Sequence, residues 1–141
     1  MRALAFAVCL ASPAVADEVW TTTAGDAIYE ADIDTVAVIS VPGAAAFADD
    51  PELAGERLTT YFPFLAGNVS ARTVDDGYWI APAGDDFACT ATLRGPDGAE
   101  SALWGRARLV WDERAFPSSW TMLLGFCLQE PAVGLRGEAF P

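Results

Sequence analysis

The chain of 141 residues carries 20 acidic side chains against eight arginines, with no lysine and no histidine, so its formal net charge is −12. This balance excludes a nucleic-acid partner, whose phosphates require a basic surface, and it disfavours anchoring on anionic lipid. The missing side chains also exclude Ser-His-Asp, Cys-His and Ser-Lys catalysis, Schiff-base chemistry and histidine-ligated metal sites. We therefore expect no cofactor, no bound metal and no catalytic residues of these kinds.

The first 16 residues have the pattern of a secretory signal peptide. Arg2 supplies a short basic region, residues 3–10 are apolar, and residues 14–16 read Ala-Val-Ala, an A-x-A cleavage site. The apolar run is shorter than the roughly 20 residues that a membrane-spanning helix needs. The alternative is a buried apolar helix. We expect cleavage before Asp17, which leaves a mature chain of 141 − 16 = 125 residues with no integral membrane segment.

Two further features indicate the compartment. Lysine is absent and Asn68 is the only asparagine, a bias against A-rich codons that favours a high-GC, Gram-negative bacterial source. Export would then lead to the periplasm or the medium. The mature chain keeps Cys89 and Cys127, and an even pair in an exported protein predicts one disulfide that closes a loop of about 38 residues. Two free buried thiols are the alternative.

Glycine and proline divide the mature chain into short β-branched and aromatic stretches, as is typical of an all-β domain. In the first half, strands are predicted at residues 19–23, 26–32 and 35–41. Residues 33–34 are expected to turn the last two into a hairpin. One short helix is predicted near residues 51–58, because Asp50 is a good N-cap and Pro51 suits the first helical position.

The second half continues the same rhythm. Residues 60–65 are predicted to form an edge or bulged strand, because Pro63 cannot donate a ladder hydrogen bond. Further strands are predicted at residues 77–81, 87–94, 99–112 and 119–127, with a type I turn at residues 95–98. Residues 99–112 form either one long strand or two strands joined at Gly105. Residues 128–141 are expected to lie as an extended tail over the surface. The pattern predicts one mainly antiparallel domain over residues 17–141, either a β-sandwich or a small barrel.

Residues 103–120, LWGRARLVWDERAFPSSW, hold three of the five tryptophans and three of the eight arginines. On a strand, Trp104, Arg106 and Arg108 share the outward face, while the alternate positions up to Trp111 face the core. An indole beside two guanidinium groups can stack on a ring or clamp an anion, so these three residues are the candidate ligand-binding set. Alternatively, the arginines pair with acids of a neighbouring strand, for which the candidates are Asp26, Glu30 and Asp32.

Other aromatic residues are expected in the core. Trp79 and Trp120 lie in apolar strands, whereas Tyr61, Phe62 and Phe64 are either core residues or the lip of an apolar pocket.

Glu30, Asp32 and Asp34 alternate along a predicted strand and raise the question of a calcium site. An EF-hand loop starting at Glu30 needs glycine at its sixth position and glutamate at its twelfth, where the chain has Thr35 and Val41. Alternating acids are more typical of the solvated face of a strand. A weak calcium site stays open as the alternative.

These features predict an exported, non-catalytic binding or interaction module for a protein partner or a small ligand. The alternative is a hydrolase that uses only aspartate and glutamate and acts on an envelope polymer. A deep cleft with two facing acids about 5–10 Å apart, one of them buried, would favour the enzyme. A shallow pocket and an exposed face at Trp104, Arg106 and Arg108 would favour binding.

Overall fold

The structure is a computed structural model, in which residues 18–82 and 89–140 are described. The predicted signal peptide and its cleavage site lie outside these residues. The strands are β1 Val19–Thr22, β2 Gly25–Ile33, β3 Val36–Pro42, β4 Arg57–Pro63, β5 Val74–Ile80, β6 Leu93–Arg94, β7 Glu100–Ser101, β8 Trp104–Trp111, β9 Trp120–Leu124 and β10 Val133–Ala139. A 3-10 turn spans Gly43–Ala45, and helix α1 spans Pro51–Ala54. Neither helical segment of the described ranges could cross a membrane.

Eight of the strands close into an antiparallel barrel in the order β1-β10-β9-β8-β5-β4-β3-β2, while β6 and β7 pair with each other outside it. The predicted all-β, mainly antiparallel fold is therefore confirmed, and the barrel rather than the sandwich is the observed form. A tight hairpin joins β2 to β3, as predicted, but its turn is Asp34–Thr35, one residue later than expected, because Ile33 still pairs with Val36. Closure gives every barrel strand two neighbours, which leaves no open edge in this sheet.

The prediction for residues 128–141 is wrong. Instead of lying over the surface, half of this segment forms β10, which pairs with β9 on one side and β1 on the other. Leu135 is buried in the core, and Gly137 lies against the ring of Trp120. The glycines and prolines of the segment are typical of a loop, but both glycines, Gly134 and Gly137, are strand positions. The C-terminal strand is thus the element that closes the barrel.

Two other strand predictions also need correction. Strand β4 is an interior strand between β3 and β5, and Pro63 fits there because it is the last residue of the strand. Of the strand predicted at residues 87–94, only Leu93–Arg94 is a strand. Residues 89–92 are irregular because the chain leaves the barrel between β5 and β8, and residues 87–88 lie outside the described part.

The helix predicted near residues 51–58 begins where expected and ends early. Asp50 caps it by accepting hydrogen bonds from the backbone N–H groups of Glu52 and Leu53, at 3.0 and 3.1 Å. The helix ends at Ala54, since Gly55 follows and β4 begins at Arg57. One turn remains, and it buries Leu53 completely.

Tryptophan side chains fill the barrel interior. Strand β8 alternates as predicted, with Leu109 and Trp111 inward. The ring of Trp20 lies 5.6 Å from that of Trp120 and 5.9 Å from that of Trp111, between centroids. Trp79 is also fully buried, which confirms the core positions predicted for Trp79 and Trp120. Aromatic packing of this kind contributes beyond the area it buries.

The excursion outside the barrel, residues 89–103, is fastened at three points. The predicted disulfide joins Cys89 to Cys127. The hydroxyl of Tyr61 donates to the Asp97 carboxylate at 2.9 Å. The indole N–H of Trp104 donates to the carbonyl of Ala91 at 2.7 Å. The excursion therefore covers the outer face of β4, β5 and β8.

All three tyrosines of the chain have a raised pKa. Burial is the main cause at Tyr29 and Tyr61, and the hydrogen bonds to Asp32 and Asp97 add to it. Burial also raises the pKa of Tyr78, with a smaller contribution from the charge of Asp97. The folded state therefore retains phenol protons that the unfolded chain loses near the ordinary pKa of 10.0.

Replacing Gly137 with alanine is expected to lower the free energy of unfolding by about 1–3 kcal/mol, because the new Cβ would lie 2.3 Å from the buried ring of Trp120. Gly134→Ala is the matched control on the same strand, since its Cβ would meet its nearest neighbour at an ordinary 3.5 Å. Urea unfolding followed by tryptophan fluorescence measures both. Equal midpoints for the two variants would contradict the packing described for β10.

Raising the pH above 10 is expected to unfold the protein as the tyrosines ionise. Because the three pKa values are raised in the folded state, their stabilisation is complete below pH 10 and is lost as the pH rises further. Tyrosinate absorbance and circular dichroism should change together, whereas in concentrated urea the tyrosines should titrate near pH 10.0. Ionisation near pH 10 with intact circular dichroism would contradict the raised values.

Candidate functional site

A cleft of about 790 Å³ opens at one end of the barrel. One wall is the β3–β4 connection, residues 46–52, and the other is made by Phe126 and Val133 around the β9–β10 connection. The antiparallel strand order places both connections at the same end of the barrel as the β1–β2 turn. The mouth of a barrel is a common position for ligand sites, and volumes of about 300–1,000 Å³ are typical of them.

Local contacts of the β3–β4 connection fix the position of the first wall. Pro42 ends β3, and Gly43 follows so close to the helix that a Cβ there would lie 1.8 Å from the carbonyl oxygen of Leu53. Helix α1 is capped by Asp50 and anchored by the buried side chain of Leu53. Only glycine permits this approach of turn to helix. The wall is therefore fixed at both of its ends.

The floor of the cleft is aromatic. Phe47 is buried, and its ring centroid lies 5.0 Å from that of Phe126 and 5.7 Å from that of Trp79. The indole N–H of Trp79 donates to the carbonyl of Gly125 at 2.8 Å, which ties the β9–β10 connection to the barrel core. Gly105 makes room for this contact, since a Cβ there would lie 1.7 Å from the Gly125 oxygen.

The disulfide holds the second wall. Cys127 directly follows Phe126, bonds to Cys89 and donates its backbone N–H to the carbonyl of Trp104 at 2.9 Å. It adopts a positive φ of 51°, a conformation that costs a non-glycine residue energy and needs support from its surroundings. These contacts supply that support, so the cleft is preformed by hydrogen bonds and packing on its first wall and by the disulfide on its second.

The acids of the cleft all lie on one wall. Asp49, Asp50 and Glu52 come from the β3–β4 connection, and Phe126 and Val133 face them. Asp50 is already used as the helix cap. Asp49 is exposed, and within residues 18–82 and 89–140 no hydrogen bond or ion pair engages its side chain. The arrangement is an apolar cleft with an acidic rim on one side.

The predicted ligand-binding residues lie on the outward face of β8, apart from this cleft. Arg108 pairs with Asp76, directly opposite on β5, with 2.7 Å between Nε and Oδ1. Arg106 pairs with Glu130 at 3.2 Å, and the N–H of Trp104 is bound to the excursion. The hydrogen bond from Arg108 lowers the pKa of the Asp76 carboxyl. These exposed pairs are worth little to stability, and the ligand role of Trp104, Arg106 and Arg108 stays a prediction.

The alternative prediction, that these arginines pair with Asp26, Glu30 and Asp32, names the wrong acids. Asp26, Glu30 and Asp32 belong to β2, and three strands separate β2 from β8 in the barrel order. The principle that the chain's own acids pair with the arginines is correct, but the partners come from β5 and the β9–β10 connection.

The acidic alternation on β2 has local partners. Glu30 accepts a hydrogen bond from the hydroxyl of Ser40 at 2.6 Å, and Asp32 accepts one from Tyr29. A register shift between Tyr29 and Ala31 interrupts the pairing with β3. In the described ranges, no group of three potential metal-ligating side chains comes together.

The opposite end of the barrel carries a buried ion pair that the sequence did not suggest. Arg72 is 2% exposed and binds Glu18 with two bonds of 2.7 and 2.8 Å. Its guanidinium lies 4.3 Å from the ring centroid of Trp111. A bidentate carboxylate and an aromatic face satisfy the buried cation. With its donors used in this way, Arg72 supports the fold rather than a ligand site.

The aromatic residues at the end of β4 and just after it differ in burial. Tyr61 and Phe62 are fully buried, so both are core residues. Phe64 is 80% exposed, has a positive φ of 68° and lies at the end of the barrel opposite the cleft. It therefore does not form the lip of the cleft.

Sequence reasoning missed the cleft because its two walls are far apart in the chain. Phe47 and Phe126 belong to different connections, and neither lies in a recognisable motif. The N-cap signal at Asp50 was the one local indication of an ordered wall.

Comparisons of the chain with protein-family models, with curated proteins and with solved structures give no match. The residues of the cleft are therefore the basis on which a function can be assigned.

Proposed function

We propose that this protein is an exported, non-catalytic binding module and that the cleft at residues 46–52, Phe126 and Val133 is its ligand site. The observation that carries the proposal is the position of the cleft on a barrel whose interior is filled by Trp20, Trp79, Trp111 and Trp120. Eight-stranded barrels hold a small ligand inside only where side chains leave room. Here a ligand binds at the mouth.

The size and the lining of the cleft favour a small molecule over a protein partner. Its volume of about 790 Å³ is within the range typical of small-molecule sites, and a few polar groups border an apolar floor. Both walls are fixed by glycine contacts, a helix cap and the disulfide. A preformed site of this kind avoids the cost of ordering loops on binding.

The distribution of the acids favours binding over hydrolysis. A glycosidase places its two carboxylates on either side of the scissile bond. Asp49, Asp50 and Glu52 lie on a single wall opposite two apolar side chains, and Asp50 is committed to the helix. This supports the binding module rather than the carboxylate-dependent hydrolase.

Export to the periplasm or the medium fits the leader pattern and the disulfide. Disulfides persist in oxidising compartments, and the Cys89–Cys127 bond holds one wall of the cleft. The acidic composition favours solubility in a crowded compartment.

Expression of the full chain in a Gram-negative host is expected to yield exported protein that begins at Asp17. Its intact mass should be two hydrogens lower than the mass after reduction, because Cys89 and Cys127 are joined. N-terminal sequencing and mass spectrometry of the periplasmic fraction measure both. Retention of residues 1–16 on exported protein, or two free thiols, would contradict the proposed route.

Addition of 2-phenylethanol to ¹⁵N-labelled protein is expected to shift backbone amide signals of the two cleft walls. Ala48→Trp should abolish these shifts, because Ala48 is an exposed residue of the lining and the indole would fill the cleft. Ala24→Trp is the matched control, since Ala24 is exposed at the same end of the barrel but outside the lining. Shifts that persist in Ala48→Trp, or that map elsewhere, would contradict the assignment of the site.

A further inference from the structure

We infer that the ligand of this cleft is a small organic cation, an ammonium group attached to an apolar body. The inference rests on the proposed function, because it specifies the ligand class of the same site. Three features of the cleft lead to it: the aromatic floor, the acidic rim and the absence of any basic group from the described lining.

The floor accommodates the apolar body. Phe47 and Phe126 pack with their centroids 5.0 Å apart, and Ala46, Pro51 and Val133 extend the apolar surface around them. Aromatic rings present a negative face, so they attract a neighbouring cation as well as an apolar group. An anionic head group would gain nothing from this surface.

The rim supplies the charge. Asp49, Asp50 and Glu52 lie within four consecutive positions of one wall. Asp49 is the most available of them, because its side chain is exposed and without a partner in the described part of the chain. A cation bound over the floor would therefore lie beside carboxylates on one side only, which defines the direction in which its ammonium group points.

Within residues 18–82 and 89–140, no arginine pairs with Asp49 of this rim. None of the lining residues in the described ranges is an arginine, and Arg106, the cation of strand β8 next to the β9–β10 connection, is paired with Glu130. Arg57 donates to Ser40 and to the carbonyl of Asp26. The whole chain adds a formal net charge of −12. Local and overall charge therefore both attract cations and repel anions.

Three probes with the same phenyl ring and two-carbon linker test the inference: 2-phenylethylamine, 2-phenylethanol and 3-phenylpropionate. Each is titrated into ¹⁵N-labelled protein, and Kd is taken from the shifts of the cleft amides. At low ionic strength the amine is expected to bind about tenfold more tightly than the alcohol, and the carboxylate least tightly. The preference should shrink as salt is added, because the rim is exposed to solvent.

Two isosteric variants locate the charge preference. Asp49→Asn is expected to weaken binding of the amine about threefold and to leave binding of the alcohol unchanged. Glu113→Gln removes the same charge from an exposed site at the opposite end of the barrel, so it should alter neither affinity. An equal loss in both variants would show a general effect of net charge and would overturn the role assigned to the rim.

The outcomes separate this inference from the proposed function. Equal affinity for the three probes overturns the cationic ligand and leaves the cleft as a binding site. No cleft shifts from any probe overturns the small-molecule site itself. Cleft shifts that depend on protein concentration without a probe would show that a second copy occupies it, which also overturns the inference.

Discussion

Closure of the sheet by pairing of β10 with β1 is the constraint on which the rest of the structure depends. A closed eight-stranded sheet encloses a fixed volume, and the largest side chains that this chain buries there are indole rings. Large rings leave little tolerance, so Gly137 must lie where a side chain would meet Trp120. Because side chains fill the interior, a ligand site is expected at the ends of the barrel.

The strands that could be predicted were those in which the alternation of apolar and polar residues shows which side chains face the core. In β8, small or apolar residues alternate with Trp104, Arg106 and Arg108, so the inward and outward faces were readable without knowing the neighbours. Strand β10 could not be recognised in this way. Its glycines resemble a loop until the ring of Trp120, 17 positions earlier, is placed against Gly137. Packing over such distances overrides local propensity.

The site was less predictable than the fold because it depends on the order of strands. Phe47 and Phe126 meet only after β3 and β9 have been placed in one barrel with their connections at the same end. For the same reason, the partners of the arginines could not be predicted from the sequence. That acids would pair with them followed from composition, but that Asp76 faces Arg108 follows from the register of β5 against β8. Single residues carry no information about register across the sheet.

The internal pairing of arginines shapes the electrostatics of the whole surface. Arg72 pairs with Glu18, Arg106 with Glu130 and Arg108 with Asp76, while Arg136 binds both Asp112 and Glu138. Each of these cations cancels acids that lie beside it. Acids without an ion pair therefore remain elsewhere in the described residues, and Asp49 at the rim of the cleft is one of them. Four of the eight arginines are held in ion pairs in this way, so few of them remain to offset the acids on the rest of the surface, and such an acidic surface attracts cations as they approach.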